Sequence, residues 1–125
     1  MKLIAISLSA MAVLSGCAHT SKGYREQAPR LELFSDKAPQ TVLGCINEKW
    51  QRDGRATQYT PLPTGGTVSV DIGTILISFG NLLMLVDAET VERKTRVRFY
   101  RMSGLGANDY RDVELQIKTC TESGS

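Results

Sequence analysis

Residues 67–72 alternate strictly, with Val68, Val70 and Ile72 on one side and Thr67, Ser69 and Asp71 on the other. A period of two sends successive side chains to opposite faces, so this stretch predicts a half-buried strand. The same alternation returns at residues 94–101. There Thr95, Val97 and Phe99 share one face, while Lys94, Arg96, Arg98 and Tyr100 share the other. Between them, residues 74–86 are almost continuously apolar and break only at Gly80-Asn81. A turn signal inside a run rich in Ile, Leu and Phe predicts two buried strands, or a loop and one strand, rather than a helix. Residues 87–93 are polar enough for a hairpin connection. Pro61, Pro63, Gly65 and Gly66 predict a turn ahead of the first alternating stretch.

A second period governs the flanks. Val42, Ile46 and Trp50 stand at i, i+4 and i+8, and Leu43 widens the stripe, as in an amphipathic helix ending at Arg52. Ser35 and Asp36 offer N-caps, Pro39 suits a first turn, and Gly54 is placed to end the helix. Trp50 on this stripe reads as core in preference to a ligand wall. Residues 31–34 read as a short strand or a lead-in. Near the end two patterns compete. Val113, Leu115 and Ile117 alternate as in a strand, whereas Tyr110, Val113, Ile117 and Cys120 recur as in a helix. Asn108 and Asp109 as N-caps, with Asp112 and Glu114 behind them, tilt the reading to helix. Gly104-Leu105-Gly106 reads as a loop. The predicted fold class is α+β: one small domain with an N-terminal helix, an antiparallel meander of three to four strands and a C-terminal helix (or strand).

The start of the chain follows neither period. Met1-Lys2 is a short basic region, and residues 3–14 are mostly apolar. That run is shorter than the ~20 residues of a spanning helix. It ends in Leu14-Ser15-Gly16-Cys17, which resembles the lipobox of bacterial lipoprotein precursors. The resemblance covers the first 20 residues. It implies diacylglycerol transfer to the Cys17 thiol, cleavage after Gly16 and, often, acylation of the new amine. The competing reading is an ordinary secretory signal that contains a cysteine. In such lipoproteins an aspartate after the cysteine commonly signals inner-membrane retention. Here that residue is Ala18, which implies an outer-membrane anchor, with the domain facing the periplasm or the cell surface. The chain then divides into a signal peptide (1–16), a polar tether (17–30), a globular domain (31–120) and a frayed tail (121–125). Residues 18–30, when fully extended, reach at most ~45 Å.

Composition changes the picture in two places. Removal of the signal peptide takes Lys2, so the 15 Lys and Arg less that one stand against 13 Asp and Glu. A nearly neutral chain argues neither for nor against a charged partner, and a membrane anchor keeps it from nucleic acid. With Cys17 assigned to lipid, Cys45 and Cys120 remain as a pair in an oxidising compartment and predict a disulfide. A redox or metal role is the alternative. It lacks a CxxC motif, and the single histidine, His19, adjoins the anchor. A serine or cysteine nucleophile would lack its usual base, and a zinc site its ligands. The glycines at 65–66 and 104–106 lack the strand–loop–helix setting of a phosphate cradle. Thirteen acids leave a paired-carboxylate enzyme open by counting alone. The expectation is a lipid-anchored, non-catalytic binding or assembly module without cofactor or metal. It would be held to the membrane through Cys17 and work on an envelope protein. An inhibitor of a periplasmic or cell-wall enzyme is the alternative. Lys94, Arg96, Arg98 and Tyr100 form the candidate partner-binding face, suited to an acidic protein patch or an anionic polymer. The competing reading is a solvated face offset by acids on a neighbouring strand.

Overall fold

The computed structural model describes residues 21–71, 82–101 and 108–122. Cys17 and the signal peptide, the Gly80-Asn81 step with the apolar run before it, the loop at 104–106 and residues 123–125 lie outside them. The described chain runs α1 (Ser21–Arg25), β1 (Leu31–Ser35), α2 (Pro39–Arg52), β2 (Thr57–Leu62), β3 (Gly65–Asp71), β4 (Leu82–Val91), β5 (Lys94–Arg101) and α3 (Asn108–Thr121). Its strands form one antiparallel sheet in the order β1-β5-β4-β3-β2. Five strands replace the three or four expected, because residues 31–35 and 57–62 both pair.

Register explains where the core sits. Val68 pairs with Val86, Val86 with Phe99, and Val70 with Met84, so the apolar positions of three strands stack on one face. Val42, Leu43, Ile46 and Trp50 of α2 pack on that face with no exposed surface. Tyr110, Val113, Ile117 and Cys120 of α3 complete the same cluster. The helical period therefore holds at the C-terminus. Leu115, which a strand would have buried with Val113 and Ile117, is 53% exposed. Cys45 and Cys120 join α2 to α3 in a disulfide with their Cα atoms 5.7 Å apart, within the usual range for such bonds. Asp53, just past α2, accepts a 2.7 Å hydrogen bond from Gln116 of α3 and a 3.0 Å one from Arg55. These bonds, the Gln116 one foremost, hold its carboxyl below the usual carboxylate range. Among the described residues, no helix is long and apolar enough to cross a membrane.

Four local expectations are corrected. Pro61 lies inside β2, and the turn shrinks to Pro63-Thr64. Proline is tolerated there because β2 is an edge strand, where a missing N–H breaks no ladder. Residues 87–91 extend β4, leaving only Glu92-Arg93 as the hairpin turn, both at positive φ (48° and 76°). That pair of angles belongs to the tight turn whose twist matches the flanking strands. Ala38, not Ser35 or Asp36, occupies the N-cap of α2 and makes no side-chain cap bond. The Ser35 hydroxyl donates to the Thr121 carbonyl at 2.8 Å and accepts from the Lys37 amide. Thr121 is accordingly buried as the last residue of α3 and not part of a frayed tail. Gly54, at φ +85°, ends α2 as expected.

Candidate functional site

The helices α2 and α3 cover one face of the sheet. Side chains alternate, so the other face carries what the core rejects. Register aligns Thr67, Asp87, Arg98 and Glu32 in one row across β3, β4, β5 and β1. The next row holds Leu62, Gly65, Glu89, Arg96 and Phe34 across all five strands.

The expected partner-binding residues do meet on this face, but not as unbalanced charge. Arg98 donates to Glu32 at 2.7 Å, Arg96 pairs with Glu89 directly opposite it, and Lys94 lies 3.5 Å from Asp36. Each of these three cations thus has an acid on a flanking segment, as the competing reading anticipated. The hydrogen bond from Arg98 to Glu32 raises the guanidinium pKa further. Tyr100 shares the face but is buried, which corrects its assignment as a contact residue.

What buries Tyr100 is α1. Tyr24 closes a small apolar cluster with Leu85 and Tyr100, and its hydroxyl donates to the Leu83 carbonyl at 3.2 Å. Arg25 clamps Asp87 with two 2.8 Å hydrogen bonds, and its second terminal nitrogen also reaches Thr67 Oγ1 at 2.9 Å. This bidentate pairing raises the Arg25 pKa, chiefly through the Asp87 bond. The Arg30 amide donates to the Phe99 carbonyl. Residues 21–30 are therefore docked onto the domain, not part of a free tether. Leu85 and Tyr100 present apolar surface that needs a cover, and Asp87 needs a counter-charge. Residues 17–20 lie outside the described chain.

Burial pushes the Tyr24 phenol from 10 up to about 12. The folded state then keeps a proton that the unfolded chain releases, so stability falls as pH rises from about 10 to 12. Melts of the wild type should lose ground over that interval relative to Tyr24→Phe, which has no phenol to ionise. Identical losses in both proteins would contradict a buried Tyr24.

Between α1 and the β2–β3 turn lies a groove of about 210 Å³, walled by Arg25, Asp87, Glu89, Arg96 and Arg98. Gly65 lies along it, where a Cβ would stand 1.9 Å from the Ala88 carbonyl oxygen. The groove falls short of the ~300 Å³ at which ligand pockets usually begin. It suits a small charged group better than an enclosed substrate. Among the described residues, no three His, Cys, Asp or Glu side chains are grouped to hold a metal ion. Trp50 lies wholly in the core and lines no site.

Sequence reasoning missed Asp36, Glu89 and Glu32 as the partners of Lys94, Arg96 and Arg98, although Leu85, Asp87 and Glu89 continue a period of two that gives Glu89 away. It read Tyr24 and Arg25 as solvated linker by default, whereas their partners Leu83 and Asp87 lie 59 and 62 positions further along the chain. No protein-family model and no curated protein matches the chain.

Proposed function

We propose that this chain is a lipid-anchored envelope protein whose domain serves as a non-catalytic binding or assembly module at the outer membrane. The observation that carries the proposal is Leu14-Ser15-Gly16-Cys17 at the end of an apolar run. The Cys45–Cys120 bond supports it, since such bonds persist in oxidising compartments. The exposed sheet face suits a binding role, being an ordered array of paired charges around a shallow groove.

Cys17→Ala decides the anchor. The wild type extracted in detergent should have the intact mass of a chain that begins at Cys17 and carries acyl groups. The variant should retain residues 1–16 and no lipid. A mature chain beginning elsewhere with a free Cys17 thiol contradicts the proposal. Affinity capture from solubilised envelope then tests the binding role. A stoichiometric membrane-protein partner supports an assembly module, and a captured hydrolase transfers the assignment to an inhibitor.

A further inference from the structure

We infer that the sheet face opposite α2 and α3 is the surface turned to the membrane, lying against the leaflet that holds the Cys17 acyl chains. The inference rests on the anchoring proposed above.

The first argument is length. Only four peptide steps separate Cys17 from Ser21, where the docked chain begins. Four residues extend at most ~14 Å. Tyr24 and Arg25 fix the following turn to the outer sheet face through Leu85, Tyr100, Thr67 and Asp87. The body behind that face is a sheet layer and a helix layer, roughly 20 Å together. A 14 Å leash that starts on the sheet side does not pass round such a body to bring α2 and α3 against the lipid.

The second argument is the surface itself. Phe34 is 54% exposed and Leu62 is 52% exposed. They end the same cross-strand row, on the edge strands β1 and β2. Four inter-strand steps set them about 19 Å apart. Two apolar prongs bordering a charged strip match the boundary between acyl chains and headgroups. The groove between them presents guanidinium groups from Arg25, Arg96 and Arg98 beside the carboxylates of Asp87 and Glu89. That mixture complements a zwitterionic headgroup, phosphate to guanidinium and ammonium to carboxylate. On the helix side, Leu115 is the large apolar residue left exposed among those described, and it stands alone.

The test uses full-length protein with a photoreactive benzoylphenylalanine at Phe34, Leu62, Leu115 or Gln51. Each variant is reconstituted in vesicles of phosphatidylethanolamine and phosphatidylglycerol, and irradiated adducts are read by mass. Phospholipid adducts at Phe34 and Leu62 should exceed those at Leu115 and Gln51 at least tenfold, with the thermal melt unchanged. Equal or reversed yields on protein whose mass shows an acylated Cys17 overturn the orientation and leave the anchor standing. So do cross-links from Phe34 and Leu62 to a protein, in place of lipid, when the same variants are irradiated in native envelopes. An unacylated Cys17 in the same spectra overturns the anchor, and the orientation with it.

Discussion

Replacing both Cys45 and Cys120 with alanine should lower the unfolding free energy by about 2–5 kcal/mol, the range for native bridges in small secreted domains. The bond spans a sequence separation of 75. The chain-entropy account gives a loop of that size roughly 4 kcal/mol. The loop contains the whole sheet except β1, so without it the unfolded ensemble regains most of its freedom. The double replacement avoids the stray thiol that a single one would leave. Urea melts of the oxidised wild type and the variant would measure the difference, and non-reducing peptide mapping would show one Cys45–Cys120 cross-link. If both thiols alkylate in the folded native protein, the bond is absent. With typical domain stabilities of about 5–15 kcal/mol, a loss of this size brings the domain close to unfolding.

Trp50→Ala is the second large effect, at about 3–5 kcal/mol. Trp50 is the largest side chain of the core and has no exposed surface. It shares the α2 stripe with Val42, Leu43 and Ile46, and its removal leaves a cavity between α2 and the sheet. Trp50→Phe should cost much less, because it keeps one aromatic ring and leaves a smaller cavity. The indole N–H has no hydrogen-bond partner among the described residues, so phenylalanine forfeits no bond. As Trp50 is the only tryptophan, its fluorescence follows unfolding in the wild type, and circular dichroism compares the variants. A loss below about 1 kcal/mol for Trp50→Ala would remove Trp50 from the core.

These two positions were legible in the sequence because each rests on local repetition or on compartment. The α2 stripe, the alternation of β3 and the alternation of β5 were legible for the same reason. Leu115 shows why α3 was harder. Val113, Leu115 and Ile117 satisfy a period of two, and only the neighbouring element reveals which of them meets the core. Strand β2 was hidden by Pro61, which forbids a central strand but not an edge. The end of β4 was hidden by Asp87 and Glu89, polar residues that resemble a loop until their places on the outer face are known. Tyr24 and Arg25 had no pattern at all. Their docking depends on Leu85, Tyr100 and Asp87, partners that the fold brings back from far along the chain. Lys94, Arg96 and Arg98 were identified as a face, but their balance by Asp36, Glu89 and Glu32 required the pairing of strands to be known.

The strand order also sets a timetable. Strands β2 to β5 are joined in succession, so each can pair with one that has just emerged. Strand β1 cannot, because it pairs with β5, and 66 positions separate Glu32 from its partner Arg98. A chain delivered from its N-terminus therefore carries Leu31, Leu33 and Phe34 without a neighbour until almost all of the sheet has arrived. During that interval this segment is an open template for strands of other chains. Arg30 waits on the same event, since its amide bonds to Phe99, and so does the closing of the Tyr24 cluster on Tyr100. Leu83 and Asp87, to which α1 also bonds, arrive earlier with β4. The first-made part of the domain is the last to find its place.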